Sequence, residues 1–178
     1  VSATFAIILS LVLATASSGT SPSTADMIRD RQWHLVFLDA ASAHGLTRGQ
    51  GIIVAVIDTG VDAHHPDLAG SVLAGKAFVS GESDGRTDKI GHGTGMAGLI
   101  AAHGRNGSDG ALGIAPAAMI LPVLVSTNLQ TGDVGDELGP AIDYAVANQA
   151  RVINISLAGG RSPRLEKAIQ AALSADVV

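Results

Sequence analysis

Three aliphatic runs set the strongest limit on what this chain can fold into. Residues 52–57 (IIVAVI) and 119–125 (MILPVLV) are unbroken apolar stretches, while residues 151–157 (RVINISL) read as a strand interrupted by Arg151, Asn154 and Ser156. A strand that is apolar at successive positions has no face to offer water, so the first two runs predict strands covered on both sides. The segments between them read as helices. Residues 136–148 put Leu138, Ile142, Ala145 and Val146 on one face and acidic residues around the first turn. Ser162-Pro163 sets an N-cap and an N1 proline ahead of a helix with Leu165, Ile169 and Leu173 turned inward. Strands alternating with helices of this length predict βαβ units, right-handed crossovers and an α/β fold on a parallel sheet. With 47% hydrophobic residues but only 3% aromatic ones, the core must be built from Ala, Val, Ile and Leu.

The same pass divides the chain. Residues 1–16 hold an uncharged apolar run ending in Ala14-Thr15-Ala16. The run is too short to span a bilayer and ends at a small-x-small site, which predicts an export signal cut after about Ala16 and an extracellular or cell-envelope destination. No Lys or Arg precedes the run, and the chain opens on Val1 rather than Met. A Ser/Thr-rich linker covers residues 17–25, and residues 26–178 form the folded part. Its first segment, residues 25–45, spaces Ile28, Trp33, Phe37 and Ala41 as a helix with Gly45 as C-terminal cap. Residues 60–90 and 103–110 are rich in turn formers. The final Asp176-Val177-Val178 reads as the start of another strand, so the chain is expected to be a fragment. A net charge of −5 without a Lys/Arg cluster argues against a nucleic-acid partner held by phosphate contacts. Without cysteine there is neither a disulfide framework nor a thiolate metal site.

Two positions carry the chemistry. Asp58 follows the first buried run directly, in AVIDTGVDAHHPDL. In open α/β sheets ligands bind beyond the carboxyl ends of the strands, so a carboxylate there is placed to orient a histidine. His92 stands at a helix opening in GHGTGMAG, where small residues let the helix approach a sheet closely. Taken singly, each has a plainer explanation: a turn hydrogen bond for Asp58, a surface histidine for His92. Together they are much more specific.

With VAVIDTGVDAHHPDL, GHGTGMAG, LGIAPAAMILPVLV and VINISLAGG in this order, residues 26–178 resemble the N-terminal half of a subtilisin-family (subtilase) serine peptidase. The resemblance implies a three-layer subtilisin-like fold truncated after about half of the catalytic domain. It implies that Asp58 and His92 are the aspartate and the general base of an Asp-His-Ser triad acting on peptide or protein substrates. It further implies that Ser156, Leu157, Ala158 and Gly159 form a substrate-binding edge, with Gly132 a weaker candidate for the opposite edge. The family usually carries Gly where this chain has Ala158, and the added methyl would narrow the pocket for the side chain preceding the scissile bond. Asp67 matches a position that ligates calcium in some relatives, and residues 104–113 would supply further oxygen ligands. No other cofactor is implied.

The nucleophile is not in the chain. The family's Gly-Thr-Ser helix start and its oxyanion-hole Asn belong to a later segment, so these 178 residues are expected to be inactive alone. Gly19-Thr20-Ser21 has the right letters in the wrong place, and Ser156 lies in a strand pattern. The short extension before the Asp58 strand, with Trp33-x-Leu35, is similar to the mycosins, subtilases of type VII secretion that are membrane-anchored through a C-terminal region. A free secreted degradative subtilase is the alternative within the family, and a non-catalytic secreted binding or scaffold module with relic Asp58 and His92 is the alternative outside it. A transition-metal cluster of His64, His65, Asp67 and His92 is a third reading, disfavoured because adjacent histidines rarely point at one metal.

Overall fold

The computed structural model describes residues 24–105, 109–128 and 134–178. The export-signal expectation, Gly19-Thr20-Ser21 and Gly132 lie outside the described residues.

A four-stranded parallel sheet of order β2-β5-β1-β6 organises the molecule, with β1 Ile53–Asp58, β2 Lys76–Ala77, β5 Met119–Leu124 and β6 Val152–Ile155. Helix α4 (His92–Ala101) lies on one face; α5 (Gly135–Ala147) and α6 (Pro163–Ser174) lie on the other. The strand pleat explains the division. Val54 and Val56 pack with Val61, Leu68, Ala97 and Ala101, whereas Ala55 and Ile57 pack with Leu138, Ile142, Ala145 and Ala168. Strand β1 therefore has no solvent face, as its composition requires. Its neighbours β5 and β6 keep one register along it, Ile57 opposite both Val123 and Ile155. The helix after β1 and the helix after β5 leave on opposite faces, so a crevice opens at the carboxyl ends of these two strands.

Pro122 sits inside β5, where a missing N–H is normally costly. Here the flanking chain leaves the ladder between the Val72–Ile120 bridge and β2, so no partner carbonyl waits for it. Gly75 fills that gap, and a Cβ on it would lie 1.8 Å from the Pro122 carbonyl oxygen.

The N-terminal segment differs from the single helix its spacing suggests. It forms α1 (Thr24–Asp30), α2 (Trp33–Phe37) and α3 (Ala40–Leu46), broken where Asp39 adopts φ +49°. Trp33 and Phe37 are 72% and 78% exposed, and Gly45 lies within α3 rather than capping it. Polar contacts, not the apolar stripe, dock this segment. Arg29 Nε donates to the Gly110 carbonyl at 3.0 Å, and the Gln32 amide exchanges two hydrogen bonds with the main chain of Leu112. Leu112 belongs to a short antiparallel pair, β3 (His103–Arg105) and β4 (Asp109–Leu112), in a stretch that reads only as turn.

Helix α6 begins as its sequence says, Ser162 Oγ accepting from the Leu165 N–H. Its inward face is shifted by one residue. Ala168 and Ala172 are buried against α5, while Ile169 and Leu173 are 41% and 57% exposed. They border an apolar groove of about 170 Å³ at the β6 edge of the sheet. Beside that edge Val178 exchanges hydrogen bonds with Arg151 and Ile153, as a continuing parallel strand would.

Gly75→Ala is expected to lower stability by about 1–3 kcal/mol, because backbone must move to admit the methyl. A urea midpoint equal to that of the unsubstituted protein would contradict the close approach.

Candidate active site

Asp58 ends β1 and is fully buried. Its main chain is held from the side, since its carbonyl accepts the Val125 N–H at 2.9 Å. The carboxylate is thus carried to the crevice by a strand that cannot shift without opening both core layers. Oδ1 accepts the Thr59 N–H at 2.7 Å.

His92 opens α4. Gly91 precedes it at φ +89°, a backbone state that suits glycine and turns the chain into the helix so that the imidazole faces β1. His92 Nδ1 stands 2.7 Å from Asp58 Oδ1. A carboxylate oxygen accepts, so this contact suits a proton on Nδ1, and in the neutral ring of that tautomer Nε2 presents a lone pair. The His92 side chain is 31% exposed against 0% for Asp58. The pair is therefore dry at the carboxylate and open to a reactant at the ring. Asp58 Oδ2 is buried and finds no donor among the described residues, which leaves its charge directed at the imidazole.

Close backbone approach holds the two segments together. Gly93, the second residue of α4, lies against the turn after Asp58. A Cβ there would fall 2.1 Å from the Gly60 carbonyl oxygen and 3.1 Å from Asp58 Cβ. The Gly93 N–H donates to Thr59 Oγ1 at 3.0 Å. Gly60 itself, at φ +95°, faces the Thr87 carbonyl at a distance no side chain would tolerate.

Asp88, which the motif reading passed over, gathers donors at the same junction: the Thr59 hydroxyl, the N–H groups of Ile90, Gly91 and Thr94, and the Thr94 hydroxyl. Partial burial works against its charge. The hydrogen bonds from Thr94, Gly91 and Ile90 outweigh that and hold its carboxyl below the ordinary aspartate value. Its signal in the sequence was the Asp-x-x-Gly-His spacing, an acidic residue just ahead of a helix start.

The remaining expected residues separate. Ser156 follows Ile155, the register partner of Ile57, so it stands beside Asp58 at the carboxyl end of the sheet. Leu157, Ala158 and Gly159 continue outward, and their main chain makes no backbone hydrogen bond outside the strand ladder among the described residues. Ser156 Oγ is engaged by Asn154. Asp67 is buried, but Oδ1 accepts from Arg105 Nε and Oδ2 from the Ala111 N–H, each at 3.0 Å. Gly110 packs so tightly on this carboxylate that a Cβ would meet Oδ1 at 2.2 Å. Asp67 is thus ion-paired with Arg105. His64 and His65 also diverge: the His64 side chain is exposed, while His65 Nδ1 accepts the Asp67 N–H. No group of three metal-ligating side chains occurs among the described residues.

Comparison with known proteins agrees with this geometry. The family profile described as "Subtilase family" (Peptidase_S8) matches residues 49–178. Thermitase of Thermoactinomyces vulgaris is 41% identical over 129 residues, which are 72% of this chain and 45% of thermitase. The major intracellular serine protease of Bacillus subtilis is 38% identical over 135 residues, 74% of this chain and 42% of that protein. Among solved structures, the MycP3 protease from the type VII (ESX-3) secretion system superposes with a TM-score of 0.69 at 36% identity, covering 81% of this chain and 43% of that one. The chain thus spans less than half the length of these relatives.

Two outcomes follow from the geometry. Gly93→Ala is expected to cost about 1–3 kcal/mol, whereas Gly95→Ala, whose Cβ meets nothing within 4 Å, gains up to about 1 kcal/mol of helix stability; equal urea midpoints would contradict the close approach. Because folding favours charged Asp88, its contribution is complete above the ordinary aspartate range and is lost as pH falls through the depressed folded value. The stability gap between the unsubstituted protein and Asp88→Asn should therefore narrow on acidification; a gap independent of pH would contradict it.

Proposed function

The chain belongs to the subtilase family, and on that premise we propose that it supplies the aspartate and the general base of a serine endopeptidase. The supporting observation is the 2.7 Å contact of His92 Nδ1 with the buried Asp58 carboxylate. In this reading Nε2 of His92 takes the proton of a serine hydroxyl as its oxygen attacks the peptide carbonyl. The same nitrogen then passes that proton to the leaving amine. Asp58 holds the tautomer and stabilises the imidazolium that forms in between.

Ser156, Leu157, Ala158 and Gly159 are proposed as the edge that pairs with an extended substrate, since their main chain projects from the sheet beside Asp58. Gly132 remains the candidate for the opposite edge. Ala158 narrows the pocket in between. The serine and the oxyanion-hole donor are assigned to the part of the relatives that this chain does not span, so the 178 residues alone are expected to be inactive.

The mycosin-like reading, with export and a role beside a secretion system, draws on the short extension with Trp33-x-Leu35 and the likeness to the MycP3 protease. A freely secreted degradative enzyme is the alternative, in keeping with a 35%-identical likeness to fervidolysin of Fervidobacterium pennivorans, a keratinolytic enzyme related to subtilisin. Among the described residues no helix is long and apolar enough to cross a membrane.

A protein joining this chain to its serine-bearing segment should be labelled by a fluorophosphonate probe. His92→Ala should lower the labelling rate by about 10²–10⁴-fold, the usual contribution of a positioned base. Labelling at an unchanged rate would refute His92 as base, and no labelling with His92 intact would favour a non-catalytic module.

A further inference from the structure

We infer that Asp88 is a positioning residue for the Asp58–His92 pair, one carboxylate that fixes the two separate segments carrying them at hydrogen-bonding distance. The inference rests on the reading of that pair as the reacting couple.

The two partners come from segments far apart in the chain. Asp58 is at the end of β1 and His92 at the start of α4. Their contact survives only if strand end and helix start are held to within a few tenths of an ångström. Asp88 touches both. Its Oδ1 accepts the Thr59 hydroxyl at 2.9 Å, the Ile90 N–H at 3.0 Å and the Gly91 N–H at 2.8 Å. Its Oδ2 accepts the Thr94 N–H at 2.9 Å and the Thr94 hydroxyl at 2.6 Å. Five donors on one carboxylate leave it little freedom to turn.

The bonds continue to the pair on either side. Thr59, held by Asp88 through its hydroxyl, donates its own N–H to Asp58 Oδ1. Gly91 and Thr94, held through their N–H groups, bracket His92 in the first turn of α4. Thr94 Oγ1 also accepts the Asp62 N–H at 2.9 Å, which ties the same turn to the loop beyond Asp58. Asp88 does not touch the imidazole or a reactant, so its role is to place the groups that do.

Asparagine tests this with little change of shape. In Asp88→Asn the amide oxygen can keep the Oδ1 partners, but the NH₂ group then opposes the Thr94 N–H. The first turn of α4 then loses its Thr94 N–H anchor while the bonds at Gly91 and Thr59 remain. The primary measurement is the far-downfield proton NMR signal of His92 Nδ1–H, assigned by its loss in His92→Ala and recorded on the protein that includes the serine-bearing segment. Glu82→Gln serves as control, a carboxylate ion-paired to Lys89 outside this network.

We expect the signal to broaden or move upfield in Asp88→Asn and to stay in place in Glu82→Gln, with circular dichroism unchanged in both. In peptide hydrolysis kcat should fall about tenfold to a hundredfold, with KM within about twofold, as a misplaced base would produce. A folded Asp88→Asn protein with the unaltered signal and kcat would overturn the positioning role. Absence of the signal in the unsubstituted protein would remove the Asp58–His92 pair and the inference with it. A signal that responds to Asp88→Asn in a protein that hydrolyses no peptide would uphold the positioning role and defeat only the peptidase reading.

Discussion

The fold depends on the double-sided burial of β1. Because Val54, Ala55, Val56 and Ile57 all lie within the core, the strand cannot slide or rotate without exposing one layer or the other. A buried carboxylate at the tip of such a strand would be costly if left alone. The Thr59 N–H and the His92 ring meet that cost in part. The same rigidity that makes Asp58 costly makes its direction dependable, which is what a group orienting an imidazole must provide.

Around this point the structure uses small residues and main-chain groups more than large side chains. Gly60 and Gly93 let backbone pass backbone at distances that any Cβ would forbid, Gly91 supplies a positive φ at the helix entry, and Asp88 binds the resulting turns. The chain spans less than half the length of the relatives it matches. The apolar groove between α6 and β6 lies at the sheet boundary, where β6 has β1 on one side and Val178 on the other, and the main chain of Leu157, Ala158 and Gly159 makes no backbone hydrogen bond outside the strand ladder among the described residues.

Much of this could be read from the residues. The three aliphatic runs became β1, β5 and β6, and Ser162-Pro163 capped α6. Asp58 and His92 were singled out by their two motifs taken together and by the resemblance these carry, since each residue alone has a plainer explanation. The errors share a different cause. Trp33 and Phe37 have helical spacing yet stay exposed, since Arg29 and Gln32 dock their segment by hydrogen bonds to a hairpin some 80 residues away. Ile169 and Leu173 lie beside a groove rather than in the core, because the buried stripe of α6 is set by where α5 allows alanine contact.

The sequence alone determined the alternation of elements and the burial of the central strand. These follow from short-range periodicity and from turn chemistry, which involve residues a few positions apart. Only the tertiary structure decided that Asp58 and His92 touch, that Asp88 joins their two segments and that Arg105 occupies Asp67. Each of those contacts links chain segments 29 to 38 residues apart through distances of about 3 Å, and pattern along a chain carries no measure of such distances until the sheet has closed around β1.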